Sequence, residues 1–189
     1  MLKGIINVLI SIALLAYPVL VYVGLSHGYE QQVAWVLVAL LATRLLLSFK
    51  NRAIGNWILP ISAFGLLVVL SAALADEPKW LQLYPVMVNT IMALTFFASL
   101  FQKQSMVERF ARLQEPNLSE QGVRYTRKVT QIWCVFFVIN MLVATYTVYL
   151  NDVQLWTLYN GFIAYVLMGS LAGGEFVYRY WLKRQGRLV

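Results

Sequence analysis

Few residues in this chain have the chemistry to catalyse anything, and those few stand apart. His27 is the only histidine and Cys134 the only cysteine. A nucleophile–base pair would have to use His27, which sits in a short loop, and a lone histidine more often has a structural or solvated role. One cysteine cannot form a disulfide within the chain, and a His/Cys metal set is missing. No catalytic residue, metal or cofactor is expected. What the sequence does offer is charge in apolar surroundings. Glu175, in "AGGEFVYRYW", precedes Arg179 by four residues, the favourable order for a helical ion pair. Arg44, in "ATRLLLSFK", lies about a turn inside an apolar run, and its long stem can snorkel to headgroups. Arg44, Glu175 and Arg179 form a candidate intramembrane polar site, because an ionisable group within a bilayer is costly and by default functional. The plainer alternative is that Glu175 pairs with Arg179 or Arg44 and only fixes helix packing.

A second set lies in the longest polar stretch, "SMVERFARLQEPNLSEQGVRYTRK", Ser105 to Lys128. Arg109, Arg112, Arg124, Arg127 and Lys128 are the candidate contacts for lipid or a partner protein. Each cation near an anionic leaflet contributes on the order of 1 kcal/mol. The alternative is that they set topology and solvate a surface. Ser105 followed by Glu108 is a capping-box pattern. Met106, Val107, Phe110 and Leu113 then recur at helical spacing, which predicts a short helix lying in the membrane surface with its arginines toward phosphate. Pro116 ends that helix. Ser119 can cap the next one, with Leu118 and Val123 as a hydrophobic staple.

The elements that must position these groups are membrane spans. The chain has 189 residues, 60% hydrophobic and 12% charged, with mean hydropathy +0.67. Soluble domains carry about 25% charged residues. Six apolar segments of spanning length appear, at residues 5–25, 32–49, 56–75, 81–101, 131–150 and 156–178. The expected fold is all-α, a single integral membrane domain over residues 1–189. It is a bundle of six transmembrane helices with a short interfacial helix in the cytoplasmic loop 102–130. Backbone groups in lipid must be satisfied within a segment, which favours helices, and barrel strands would be half as long. The first segment is too long for a signal peptide and lacks a cleavage site, so it reads as a retained span.

Charge sets the orientation. Of the 15 Lys and Arg residues, Lys79 alone falls in the loops of one side, and the rest alternate onto the other. Both termini are therefore expected in the cytoplasm. This alternation also argues against nucleic acid as the partner of a chain with net charge +7. Tyr22, Tyr29, Trp35, Trp80, Tyr84, Tyr149 and Trp156 are expected as outer interfacial anchors, and Trp57, Trp133, Tyr180 and Trp181 as inner ones. Gly169 and Gly173 form a GxxxG, with Ser170 and Gly174 a second small pair. They permit close helix packing within the chain or in a homo-oligomer. "YPVLV" (Tyr17 to Val21) recurs as "YPVMV" (Tyr84 to Val88), expected late in one helix and early in another, so the likeness reads as coincidence or as two proline kinks. Asn7, Asn89, Asn140 and Thr145 look scattered.

The Pro-containing first span, the basic fourth loop, Trp133 with Phe136 and Phe137, and the terminal "YRYW" resemble the intracellular septation protein A family of bacterial inner-membrane proteins. The likeness spans most of the chain and is best from Met87 to Tyr180. Where that family has Leu-Pro and then Trp before the fifth span, this chain has Leu118-Ser119 and Tyr125-Thr126. The resemblance implies a role in envelope synthesis and septation through contact with division or wall-building membrane proteins. The expected function is thus a non-enzymatic inner-membrane protein acting through lipid and protein contacts. The competing expectation is a small transporter or flippase for a lipid-like molecule, using Glu175 and Arg44. A lipid-modifying enzyme lacks any supporting motif.

Overall fold

The structure is a computed structural model that describes residues 16–48, 66–67, 69–71, 73–74 and 78–186. Among these residues all regular structure is helical. The helices are α1 (Tyr17–His27), α2 (Glu30–Ser48), α3 (Tyr84–Ser99), α4 (Met106–Gln114), α5 (Glu120–Tyr149), α6 (Val153–Leu158) and α7 (Ala164–Arg184). A 3-10 turn over Pro78–Leu83 leads into α3, and a π turn over Tyr159–Ile163 joins α6 to α7. The described residues between 66 and 74 are also helical.

Among the described residues three continuous helical stretches are long and apolar enough to cross a bilayer: Trp80–Ser99, Glu120–Tyr149 and Val153–Arg184. They make this a membrane protein. Glu30–Thr43 is apolar but shorter. The expected third span and residues 5–15 of the first lie largely or wholly outside the described residues.

The chain divides into two compact units, residues 1–88 with 143–163, and residues 89–142 with 164–189. In the first unit α1 stops at Gly28, whose φ of +72° is left-handed and suits a residue without a side chain. The chain turns back tightly, and a Cβ on Gly24 would meet Val33 Cγ2 at 2.9 Å. The core gathers Tyr17, Val21, Leu37, Leu41, Leu81 and Trp156. Trp156 is 0% exposed, and its indole N–H donates to the Gln82 carbonyl at 3.1 Å. It is a core residue rather than the interfacial anchor expected. Trp35, Trp80 and Tyr149 are exposed.

The two Tyr-Pro copies meet in this unit. Tyr17 and Tyr84 rings lie 4.6 Å apart between centroids, and Trp156 meets Tyr17 edge-on at 6.2 Å. Each copy opens a described helix, and Pro18 falls in the first turn, where a missing N–H leaves no hydrogen bond unmade. The first copy is thus at a helix start, not late in one. At the π turn, Asn160 donates to the Trp156 carbonyl at 2.9 Å and to Thr147 Oγ1 at 3.3 Å. A buried amide this close to the ladder is a recognised cause of local widening.

The second unit packs Ala93, Phe96, Met106 and Phe137, with Trp133 and Phe136 around them. Phe96 and Phe137 meet edge-on at 5.1 Å. Asn140 donates to Asn89 Oδ1 at 3.0 Å, so two polar residues that look scattered along the chain form one buried bond. Alpha-helix α4 ends at Gln114, just before Pro116, and α5 starts after Ser119, whose Oγ accepts from Gly122 N at 3.2 Å.

The start of α4 differs from the capping box. Ser105 holds the cap position but makes no cap bond, and its buried hydroxyl has no partner among the described residues. The first amides of α4 go elsewhere. Met106 N donates to Ser99 Oγ at 2.9 Å and Val107 N to Thr130 Oγ1 at 3.2 Å. The hydroxyls come from the end of α3 and the flank of α5, so three helices are tied at one point. Replacing a capping hydroxyl by Ala costs about 1 kcal/mol. Ser99→Ala should therefore lower stability in detergent by roughly 1–2 kcal/mol, while Ser105→Ala should leave it unchanged or raise it. Denaturation midpoints of the two variants check this.

Candidate functional site

Helix α5 carries all its charges in its first turns: Glu120, Arg124, Arg127 and Lys128. Residues 129–149 are uncharged and match the ~20 residues that a bilayer core needs. The run α6, π turn and α7 is the mirror case. Residues 153–174 are uncharged, and Glu175, Arg179, Lys183 and Arg184 follow.

The two charged ends lie side by side. Tyr125 OH donates to Glu175 Oε1 at 3.2 Å, and Arg179 Nε lies 3.5 Å from the same oxygen. Glu175 therefore does pair with Arg179, and gains a tyrosine that sequence reasoning missed. Spacing along α5 puts Tyr125 beside Lys128 and Val129, but nothing in the sequence names the residue across from it. Lys183 Nζ also reaches Glu115 Oε2 at 2.7 Å, which ties α7 to the loop after α4.

Between α5 and α7 runs a groove of about 620 Å³. Its α5 wall is Gln121, Arg124, Tyr125 and Lys128, then Val129, Ile132 and Trp133. Its α7 wall is Leu182, Tyr178 and Glu175, then Gly174, Leu171 and Ser170. All its charged side chains lie at one end, the mouth, and the floor at the other end holds Ile132, Trp133 and Leu171. Trp133 is held by Phe96, Phe136 and Phe137 at ring distances of 6.4, 5.5 and 5.5 Å, so the floor is well supported. A second groove of about 350 Å³ is lined by Leu118, Gly122, Arg179 and Lys183 among others, with Tyr125 shared by both.

The five basic candidates do not act as one patch. Arg127 donates to the Leu100 carbonyl at 2.6 Å, just past the end of α3. Arg109 donates to Gln102 Oε1, and its Nε to the Gln104 carbonyl at 3.3 Å. Arg112 donates to Glu108 Oε1 and to the Pro116 carbonyl, both at 2.9 Å. These three close the loop on itself. Arg124 and Lys128 point into the larger groove. Among the described residues Arg124 has a loose, exposed pair with Glu120 at 3.6 Å, and Lys128 has no bond or ion pair.

Arg44 belongs to the first unit, and its side chain lies outside the described residues. Gly169, Gly173 and Gly174 show no tight packing: a Cβ built on any of them meets no described atom within 4 Å. A glycine seam inside the chain is not seen there, and Gly174 lines the groove beside Glu175. On α4, Met106 turns into the core while Phe110 and Leu113 stay exposed, at 57% and 81%. Among the described residues no three His, Cys, Asp or Glu side chains gather to hold a metal.

No protein-family model, curated protein or solved structure matches the chain.

The division among the arginines is testable. Arg112 neutralises Glu108, whose side chain is 5% exposed. Losing the partner of a buried carboxylate costs about 1–3 kcal/mol. Arg112→Gln should destabilise the protein by that amount, whereas Arg124→Gln should change stability by less than about 0.5 kcal/mol, since exposed pairs contribute little. Chemical denaturation in detergent distinguishes the two.

Proposed function

We propose that this chain is a six-helix protein of the bacterial inner membrane with both termini in the cytoplasm. It is non-enzymatic, and it supports envelope synthesis or septation through contacts with lipid and with other membrane proteins. The observation that carries this reading is the groove between α5 and α7, cationic at one end and apolar at the other. The uncharged runs 129–149 and 153–174 begin or end at the same level of that groove. A bilayer filling those runs puts Arg124, Lys128 and Glu175 at headgroup depth and Ile132, Trp133 and Leu171 in hydrocarbon.

The rest of the molecule fits this placement. Helix α4 is the interfacial helix, with Phe110 and Leu113 toward lipid. The alternation of basic loops sets the charged mouth on the cytoplasmic side. Gly169 and Gly173, open among the described residues, are the seam for a second copy or another membrane protein. The likeness to the intracellular septation protein A family supports the envelope role. The carrier reading needs Arg44 beside Glu175. The groove supports a lipid contact without it.

Native mass spectrometry of the protein released from its own membrane in mild detergent tests the proposal. The expected spectrum shows a discrete lipid adduct or a co-released membrane protein. Bare protein alone, in several mild detergents, contradicts it.

A further inference from the structure

The groove also has a chemical preference. Resting on the lipid-contact reading above, we infer that it is a site for one anionic phospholipid, whose phosphate sits on Arg124 and Lys128 and whose chain lies over Ile132, Trp133 and Leu171. Three observations carry this.

The first is the state of the cations. Five basic residues lie in the stretch from Ser105 to Lys128, and three are bound to carbonyls or side chains of their own loop. Arg124 and Lys128 are four residues apart on one face of α5, and both line the groove. Among the described residues the partner of Arg124 is Glu120, and both side chains are mostly exposed. Such a pair exchanges for a phosphate readily, because a guanidinium binds phosphate oxygens two at a time.

The second is the state of the anion. Glu175 faces the same groove and would repel a phosphate if its charge were free. Its Oε1 is held by both Tyr125 and Arg179. The local balance at the mouth is therefore positive.

The third is shape and depth. From Gln121 to Trp133 the groove runs about 18 Å along α5, at ~1.5 Å per residue. That is long enough for a headgroup and the upper part of a chain. Its volume of about 620 Å³ lies in the range of roughly 300–1,000 Å³ common for small-molecule sites. The charged-to-apolar change occurs between Lys128 and Val129, where the uncharged run begins. A soluble anion would leave the floor of Ile132, Trp133 and Leu171 unused, so the occupant is a lipid.

The test uses the full chain, stripped of native lipid and returned to detergent with defined additions. Phosphatidylglycerol serves as the anionic probe, phosphatidylethanolamine as the zwitterionic one and inorganic phosphate as the soluble one. Three proteins are compared: wild type, Arg124→Gln with Lys128→Gln, and Lys103→Gln with Arg184→Gln. The last removes the same charge from exposed positions outside the groove. Native mass spectrometry reads adduct occupancy, and circular dichroism reads folding. The expected result is phosphatidylglycerol bound to wild type at least ~10-fold more tightly than phosphatidylethanolamine, with millimolar phosphate failing to displace it. That preference should fall by ~10-fold or more in the groove variant and persist within about two-fold in the charge-matched one. Equal binding of both lipids by wild type, or equal loss in both variants, overturns the phosphate assignment but leaves lipid contact standing. Displacement by inorganic phosphate makes it a soluble-anion site and overturns the lipid. A wild type that holds neither lipid removes the lipid-contact reading as well.

Discussion

Helix ends in apolar surroundings have to hydrogen-bond their orphan amides and carbonyls, because no water is there to do it. The place where α3 stops, α4 starts and α5 passes meets this constraint with two hydroxyls and one guanidinium. Ser99 takes the Met106 amide, Thr130 takes the Val107 amide, and Arg127 takes the Leu100 carbonyl. Ser99 also donates to Phe96 and Thr130 to Thr126, so both hydroxyls are oriented by their own helices. Met106 is drawn into the aromatic cluster by the same geometry. Once this junction is fixed, α4 runs in one direction, and Arg109 and Arg112 bond back to the loop they come from.

The consequence for function is a separation of roles among like charges. A basic loop in a membrane protein is usually read as one electrostatic surface. Here the arginines nearest the junction satisfy the loop's own backbone, and the two cations one turn apart on the α5 face are left for something else. Their neighbours on that face change from charged to apolar at the position where a bilayer core would begin. Glu175 completes the mouth from α7, paired with Arg179 and hydrogen-bonded by the Tyr125 hydroxyl. The proposed lipid contact rests on where the charges stop rather than on how many there are.

Period and charge make the main elements legible in the sequence. The long apolar runs correspond to the stretches Trp80–Ser99, Glu120–Tyr149 and Val153–Arg184, and Pro116 and Ser119 mark a real stop and a real start. The pair of Glu175 with Arg179 was legible too, because i and i+4 share a helix face. What was not legible depends on pairing between distant segments. Ser105 has the right spacing for a cap, but it makes no cap bond, and the first two amides of α4 go to Ser99 and Thr130, which come from other helices. Trp156 has the look of an interfacial anchor, yet the fold closes Tyr17, Leu81 and Gln82 around it. Asn89 and Asn140 are 51 residues apart, and only helix pairing brings their side chains to 3.0 Å. The glycines of α7 illustrate the opposite case: a packing motif is present, and no described residue packs on it.

The most direct measurement is amide hydrogen exchange of the unmodified protein in detergent, resolved across residues 99–110. If the junction orders the basic loop, the Met106 and Val107 amides exchange as slowly as those in the middle of α5. Exchange at the rate of an open chain would show instead that the stretch is a solvated tether, and the separation of structural from available cations would not hold.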